Sequence, residues 1–219
     1  MVRKISMLFN SRMWGFKKYK NDDIYLLTIG CFEYLYFSMS TKIKKMYIMS
    51  HVPGSGKSAM AEDEKRDHKL YNKNLSVEIC STDQYFVVNN EYKFDASKLG
   101  HNHQKNQQKV EALCKQNCNV IIVDNTNTTF KEQDVYVRLA LEKGYEVTFL
   151  RPYNSWSENA DECFKRNNHG VPLEIIKDML DRLVTPEDSV AYFSKKYRRY
   201  LPKLKFLSER DYKKFYVNV

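Results

Sequence analysis

Residues 46–58 read MYIMSHVPGSGKS, a short apolar run followed by a glycine-containing turn. Gly54 and Gly56 let the backbone fold so that successive amides point inward at a phosphate, and a following helix adds its free N–H groups and positive dipole end. In this pattern Lys57 places a charge on the β- and γ-phosphates, and Ser58 offers its hydroxyl to magnesium. The stretch therefore predicts a phosphate-binding loop made of Pro53, Gly54, Ser55, Gly56, Lys57 and Ser58.

One position of the loop departs from the usual GxxxxGK[ST] pattern, because its first glycine falls on His51. A β-carbon there either crowds the loop or points away from it. Since position 51 lies at the loop entrance, farther from the phosphates than Gly56, the sequence predicts nucleotide binding that is weakened rather than abolished. The competing interpretation of the whole stretch is a tight turn that carries an ordinary surface lysine.

Strands and helices alternate on both sides of the loop. The pattern of apolar residues predicts four strands (46–49, 76–80, 119–124 and 145–150) and three helices (57–71, 96–117 and 131–143). Strands that alternate with helices of about a dozen residues indicate a parallel sheet covered on both faces. The predicted fold class is therefore an α/β P-loop NTPase fold, with a parallel sheet of about five strands, helices on both faces and a helical lid.

Two aspartates are predicted to lie where strands end. Asp124 follows the apolar run 120–123, and a carboxylate beside the phosphate loop can hold magnesium through its water shell. Asp83 follows the second strand, from where it would face the γ-phosphate and take the proton of an attacking hydroxyl. The alternative is an Asx-type helix cap made by Asp83 or Thr82, and the sequence does not separate the two.

A lid is predicted around residue 166. Arg166 and His169 flank two asparagines, and residues 170–172 (GVP) end one helix and start the next. A helix–loop–helix with a basic residue at its bend can close over ATP and exclude water. The alternative is an exposed arginine that stabilises the dipole at a helix end.

Composition and charge limit the classes of protein. The chain has 219 residues, 42% of them hydrophobic, with few glycines and prolines, so disordered, collagen-like and membrane-bundle classes are excluded. The net charge of +9 is uneven: residues 1–50 carry nine basic and three acidic side chains, residues 184–219 nine and four, and the middle is near neutral. Basic ends suit nucleic acid, or they are solubilising segments. Five scattered cysteines without a CxxC pair predict an intracellular protein, cytoplasmic or nuclear.

The chain is predicted to divide into three parts. Residues 1–45 form a basic extension, whose apolar stretch 24–39 has sixteen residues where a spanning helix needs about 20, so no stable membrane insertion is expected. Residues 46–183 form the main domain. Residues 184–219 form a basic segment in which 192–200 interleave aromatic and basic residues, a composition that suits single-stranded nucleic acid or, as we favour, an amphipathic helix that buries its aromatics.

Several motifs occur together and in order: PGSGKS at 53–58, STDQYF at 81–86, VIIVDNTNT at 120–128 and RNNHGVP at 166–172. With them the chain resembles the P-loop kinase domain of NEDD4-binding protein 2 and its shorter relatives. That domain is similar in turn to the 5′-kinase module of polynucleotide kinases. The resemblance covers about residues 46–183 and leaves both ends of the chain outside it.

The resemblance implies ATP and Mg²⁺ as the ligands of the loop. By it, Lys57 and Ser58 bind the phosphates and magnesium of ATP. Residues 125–127, which include Asn127, match a loop near the γ-phosphate and the acceptor. Arg166 and Asn167 match the lid segment, where an arginine contacts nucleotide phosphates.

On the acceptor side, Asp83 matches the aspartate that acts as general base on the 5′-hydroxyl in polynucleotide kinases. The phage enzyme carries an arginine three residues later that grips the substrate phosphate, and that position is Phe86 here. Three functions therefore stand. Asp83 and the basic ends favour a kinase for a nucleic-acid 5′-hydroxyl, Phe86 favours a small-molecule kinase, and His51 favours a nucleotide-binding interaction module with little turnover.

Overall fold

A computed structural model describes residues 43–200, 203–209 and 211. The elements follow the chain in the order β1 (Lys45–Met49), α1 (Lys57–Tyr71), β2 (Val77–Cys80), a 3-10 helix (Thr82–Phe86), β3 (Val87–Val88), β4 (Glu91–Tyr92), a 3-10 helix (Ala96–Lys98), α2 (Leu99–Lys115), β5 (Val120–Val123), α3 (Phe130–Glu142), β6 (Glu146–Leu150), α4 (Ala160–Arg166), α5 (Leu173–Asp181), α6 (Pro186–Lys196), a 3-10 helix (Arg198–Tyr200) and β7 (Leu204–Phe206).

Five of the strands form one parallel sheet in the order β2-β5-β1-β6-β7. In the centre, Met46 of β1 lies opposite Ile121 of β5 and Val147 of β6. Because all five strands run the same way, the loops that follow β1, β2 and β5 meet at one edge of the sheet. The predicted α/β P-loop NTPase fold is confirmed, and this shared edge is where its site is expected.

Helices cover both faces of the sheet, and β1 shows how the sequence achieves this. Its side chains alternate: Met46 and Ile48 pack with residues of α2, α3 and α6, whereas Tyr47 and Met49 pack with residues of α1. The alternation follows from the two-residue period of a strand, with both faces of a parallel sheet needing apolar side chains. The prediction of helices on both faces is confirmed.

The fifth strand of the sheet comes from the basic C-terminal segment, where the sequence predicted only a helix. Leu204 of β7 lies opposite Val147 of β6. The predicted helix is also present as α6, and it buries Phe193 completely, with the ring stacked 5.7 Å from that of Phe149. The segment after residue 183 thus supplies both a covering helix and an edge strand.

Two other local features differ from the predictions. The helix expected over 96–117 is a 3-10 turn followed by α2, which ends at Lys115; Asn117 then takes a left-handed backbone with φ of 57°. Strands β3 and β4 form a hairpin that was not predicted. Asn89 and Asn90 connect them with φ of 52° and 64°, the conformation of a two-residue type I′ turn, which asparagine tolerates.

Cys80, Cys114, Cys118 and Cys163 are free thiols and all are buried. Burial raises the pKa of Cys80 to about 12 and that of Cys114 to about 11, so both remain protonated near neutral pH. Within the described ranges, no helix combines the length and hydropathy that crossing a bilayer requires. The apolar stretch 24–39 and the rest of residues 1–42 lie outside the described residues.

Candidate active site

The loop between β1 and α1 is fixed through its backbone to the end of β6 and to the loop that follows β5. The amide of Ser50 donates to the carbonyl of Leu150, and that of His51 to the carbonyl of Thr126, both at 2.9 Å. Gly54 and Gly56 have φ of +77° and +101°, the left-handed region that favours glycine. Sequence and backbone together therefore form the tight turn that a phosphate-binding loop requires.

Gly54 also allows a close approach between the loop and α4. A β-carbon on Gly54 would lie 2.0 Å from the carbonyl oxygen of Cys163, a distance that no side chain tolerates. The loop and the lid helix are packed backbone against backbone at this point. Val52, Cys163 and Ile176 form a small apolar cluster beside it, which joins the loop to both lid helices.

Lys57 is the first residue of α1, and its ammonium group is buried with the side chain only 8% exposed. Its Nζ donates to the carbonyl of Val52 at 2.8 Å. Burial lowers the pKa of Lys57, and the carboxylates of Asp124 and Asp83 oppose that shift. A cation held in this way, at the positive end of a helix dipole, is suited to binding an anion.

A cleft of about 280 Å³ opens above the loop at the carboxyl edge of the sheet. It brings together most of the residues predicted for the site. Its lining consists of Pro53, Gly54, Gly56, Lys57, Ser58, Ala59, Asp83, Asp124, Asn125, Thr126, Trp156, Arg166, Asn168 and His169. Ala59, Trp156 and Asn168 are lining residues that sequence reasoning did not select, although Asn168 lies within the RNNHGVP motif at 166–172.

Three predicted nucleotide-binding residues do not line the cleft. Asn127 turns inward and donates from Nδ2 to the carbonyl of Met49 at 2.8 Å. Asn167 accepts from the amide of His169 and donates to a carbonyl of its own loop. Ser55 is fully buried, and its hydroxyl has no hydrogen-bond partner among the described residues. In this conformation the two asparagine side chains bond to the backbone and the Ser55 side chain is buried, so none of the three faces the cleft.

Asp83 is not the helix cap that the sequence allowed as an alternative. The cap is Ser81, whose Oγ accepts from the amide of Asp83 at 3.3 Å. The carboxylate of Asp83 is half-exposed toward the cleft. The hydroxyl of Tyr92 donates to its Oδ1 at 3.3 Å, and Nε2 of His169 lies 3.6 Å from its Oδ2. The carboxylate is thus held from two sides yet open to a ligand.

Asn125 connects the two loops that carry the aspartates. Its Oδ1 accepts from the amide of Thr82 at 2.9 Å, and its Nδ2 donates to the hydroxyl of Tyr136 at 3.0 Å. The amide of Asp124 donates to the carbonyl of Cys80, also at 2.9 Å. These hydrogen bonds hold Asp124 in a fixed position relative to the segment that precedes Asp83.

The residues present fit a magnesium ion shared with a nucleotide. No group of three His, Cys, Asp or Glu side chains within the described part of the chain forms a metal site by itself. Mg²⁺ is commonly held by one or two protein oxygens together with phosphates and water, so a large acidic cluster is not required. Ser58 and Asp124 both line the cleft, and Asp124 is only 7% exposed.

The lid has the predicted helix–loop–helix form, with α4 and α5 joined by residues 167–172. Arg166 ends α4, where its guanidinium lies 4.8 Å from the ring of Trp156 and pairs with Glu162. His169, in the connecting loop, packs against Tyr92 with ring centroids 4.5 Å apart and the ring planes tilted by 58°. The lid loop therefore contacts strand β4 of the hairpin.

His51 is fully buried and does not line the cleft. Its Nδ1 accepts from the amide of Val52 at 3.0 Å, so Nε2 carries the proton and donates to Glu158 at 3.4 Å. Glu158 also accepts from Arg151 at 2.5 Å. The side chain supports the loop from behind instead of crowding it. The predicted weakening of nucleotide binding has no steric cause at this position.

The buried imidazole predicts a pH dependence of stability. Burial lowers the pKa of His51 below 6.5, and pairing with Glu158 offsets this only in part against nearby Lys57 and Arg151. Because the unfolded chain then binds a proton more readily, stability falls as pH drops below about 6.5. One such site contributes at most about 1.4 kcal/mol per pH unit.

We expect His51→Asn to reduce this dependence, since an amide oxygen can still accept from the amide of Val52 but does not titrate. Urea unfolding of both proteins between pH 7.5 and 5.5 measures it. The slope that remains belongs in part to His68, whose pKa burial also lowers. Equal slopes in the two proteins would show that His51 does not titrate differently on folding.

Comparison with known proteins places the chain in a family. Residues 46–191 match the family model described as chromatin associated protein KTI12. NEDD4-binding protein 2 of Homo sapiens is 37% identical over 136 residues, which are 62% of this chain and 7% of that protein. The 2′,3′-cyclic-nucleotide 3′-phosphodiesterase of Rattus norvegicus is 21% identical over 136 residues, 62% of this chain and 30% of that protein.

Among solved structures, a chain of the Pnkp1/Rnl/Hen1 RNA repair complex superposes with a TM-score of 0.48 at 19% identity, over 70% of this chain and 46% of that one. The resemblance to NEDD4-binding protein 2 is confirmed. The matched region is a small part of each of these curated relatives, 7% and 30% of their lengths.

Proposed function

The chain belongs to the family of the chromatin associated protein KTI12, and we propose that it is an ATP-dependent kinase that transfers the γ-phosphate to a hydroxyl acceptor. The observation that carries the proposal is buried Lys57, which shares one cleft with the carboxylates of Asp83 and Asp124. A phosphate loop, a metal-binding carboxylate and a second carboxylate on the acceptor side are the groups that phosphoryl transfer requires.

On the nucleotide side, the loop amides, the first turn of α1 and Lys57 would hold the β- and γ-phosphates. Ser58 and Asp124 would hold Mg²⁺, which neutralises charge on the phosphates when it is bound. Arg166 stands at the edge of the cleft, where a small movement of its side chain from Glu162 would bring it to the phosphates. These roles agree with those implied by the sequence.

On the acceptor side, Asp83 would accept the proton of the attacking hydroxyl. Its Oδ1 already accepts a hydrogen bond from Tyr92, which fixes the direction of the carboxylate. A positioned base of this kind contributes about 10²–10⁴-fold in rate. His169 and Tyr92 are positioning residues, because they contact Asp83 rather than the reacting atoms.

The leading acceptor is a nucleic-acid 5′-hydroxyl, and the alternative is a small molecule. Phe86 is 2% exposed and packs against Phe94 with ring centroids 5.1 Å apart, so this position faces the core of the hairpin. The phenylalanine present at this position is therefore buried and offers no contact to a substrate phosphate. The nucleic-acid proposal therefore depends on Asp83 and on the excess of basic residues at the chain ends.

Lys57→Ala is expected to weaken ATP binding about 10- to 150-fold. The basis is that a charge-assisted hydrogen bond contributes roughly 1.5–3 kcal/mol. Isothermal titration calorimetry with ATP and magnesium measures the loss. The matched control is Lys69→Ala on the same helix, whose Nζ also donates to a backbone carbonyl, that of Leu75. Equal affinities of both variants would contradict the assignment of Lys57.

A labelled-ATP transfer assay tests the activity, with 5′-hydroxyl RNA, 5′-hydroxyl DNA and a metabolite pool as acceptors. The proposal expects transfer to at least one of them, and loss of that transfer in Lys57→Ala. Transfer to the metabolite pool alone would favour the small-molecule kinase. ATP binding without any transfer would replace the kinase with a nucleotide-binding interaction module.

The proposed location is intracellular, cytoplasmic or nuclear. The free buried thiols suit a reducing compartment, and the description of the family as chromatin associated suits the nucleus. Fractionation of cells that express the full chain, with a nuclear and a cytosolic marker, distinguishes the two sites.

A further inference from the structure

A second cleft lies at the opposite edge of the sheet from the candidate active site. It has a volume of about 380 Å³ and is lined by Arg138, Leu141, Glu142 and residues 195–199, a surface that we call the basic groove. Helix α3 ends there just before β6 begins, and the turn after α6 leads into β7. The basic groove is therefore formed where strands start, whereas the phosphate loop lies where they end.

The charge of the basic groove is strongly positive. Five cations, Arg138 together with Lys195, Lys196, Arg198 and Arg199, surround a single lining carboxylate, that of Glu142. Asp134 pairs with Lys196 at 2.7 Å, and Arg138 lies 3.9 Å from Glu142. Within residues 43–200, 203–209 and 211, neither Lys195 nor Arg198 makes an ion pair. The groove therefore has an excess of positive charge that its own carboxylates do not neutralise.

Helix capping explains only part of this cluster. Lys195 and Lys196 occupy the last turn of α6, where cations stabilise the helix dipole. Arg198 and Arg199 lie beyond the helix, in the following 3-10 turn, and Arg138 is in the middle of another helix. Three arginines on one concave surface present planar, forked guanidinium groups, whose geometry matches phosphate oxygens.

The basic surface continues beyond the groove along the same edge. Lys143, next to Glu142, is exposed. The Nζ of Lys44 donates to the backbone carbonyl of Lys143 at 3.3 Å. A β-carbon on Gly144 would be 4.0 Å from the Nζ of Lys203. Lysines from three separate segments thus extend the positive charge past the end of α3. Binding a polyanion with several phosphates would require such an extended surface.

From these observations we propose that the basic groove binds the phosphate backbone of a nucleic-acid strand, away from the cleft that holds ATP. A membrane surface fits less well, because none of the large apolar side chains that are exposed in the described residues lines the groove. Peripheral membrane binding usually adds such side chains to a basic patch. Backbone binding of this kind is independent of sequence and sensitive to salt.

Fluorescence anisotropy with a labelled 20-nucleotide single-stranded RNA, in the absence of nucleotide, tests the proposal on the full chain. Lys195→Glu combined with Arg198→Glu is expected to weaken binding at least tenfold. The negative slope of log affinity against log salt should become shallower by about 1.4, since each phosphate contact to a single strand contributes about 0.7. The matched control is Lys73→Glu combined with Lys131→Glu, two exposed lysines outside the groove with the same change in net charge, where we expect a loss below threefold.

Equal losses in the two double variants would overturn the proposal, because they would reflect net charge alone. Tighter binding to vesicles of anionic lipid than to RNA, or no RNA binding by the parent chain, would also overturn it. Hydrogen–deuterium exchange on the parent chain gives a second readout that needs no variant. RNA is expected to protect residues 195–199 and the end of α3, and protection elsewhere only would contradict the groove. None of these measurements requires kinase activity.

Discussion

Asp83→Asn lowers the rate of phosphate transfer by about 10²–10⁴-fold and leaves the affinity for ATP nearly unchanged, if Asp83 is the general base. The asparagine keeps an oxygen that can accept from Tyr92, so the side chain can stay in place while it loses its basicity. Single-turnover transfer at saturating ATP measures the rate, and calorimetry measures the affinity. A large fall in rate with constant affinity separates a base from a residue that only binds nucleotide.

The matched control is Glu91→Gln, which removes a carboxylate from the hairpin that follows the 3-10 helix of Asp83. Glu91 pairs with Lys93 at the surface, with its side chain 70% exposed, and it does not line the cleft. Transfer by this variant should equal that of the parent. If Asp83→Asn retains full transfer to the accepted substrate, Asp83 is not the base. In that case the kinase proposal is tested separately, by whether Lys57→Ala abolishes phosphate transfer.

Gly54→Ala destabilises the protein by about 2–5 kcal/mol, the largest effect on stability that we expect from adding a single methyl group. The left-handed backbone at φ of +77° costs alanine about 1–2 kcal/mol. The new β-carbon would also lie 2.0 Å from the carbonyl oxygen of Cys163, and such overpacking typically costs a further 1–3 kcal/mol. The free energy of unfolding in urea measures the sum.

Two other glycines separate these causes. Gly170 has φ of +67° with nothing within 4 Å of its β-carbon position, so Gly170→Ala should show only the backbone cost. Gly100 is the second residue of α2, with open space around its β-carbon position, so Gly100→Ala should not destabilise the protein. If Gly54→Ala and Gly170→Ala are equally destabilising, the loop and α4 are not in the close contact described above.

The parts of the fold that the sequence predicts are those decided by local chemistry. An apolar run such as Val120–Val123 can only be buried, and Gly54 and Gly56 permit a turn that other residues disfavour. The sheet, its phosphate loop and most of the cleft lining follow from such signals. Strand β7 does not, because it has three residues and only Leu204 is buried.

Side-chain direction in the site depends on distant residues, which a single sequence does not reveal. The buried imidazole of His51 donates from Nε2 to Glu158, which lies 107 residues away in the sequence. Asn127 faces Met49 rather than the cleft because its backbone takes φ of +40°. Trp156 and Asn168 reach the cleft only through the packing of the lid on the loop. The β3–β4 hairpin is different, because a local signal for it is present in the sequence: Asn89-Asn90 between two short strands is a pair that tolerates a type I′ turn.

The apolar cluster of Val52, Cys163 and Ile176 also bears on how fast a nucleotide can be exchanged. Each of the three side chains is completely buried, so swinging the lid outward would expose them to water. Exposing even one residue of the size of Ile176 costs about 1.5–3 kcal/mol, which limits an open form to a population of at most roughly 0.6–7%. Entry and departure of a ligand through that minor form would be slowed by the same factor, and residence time would then be set by the lid.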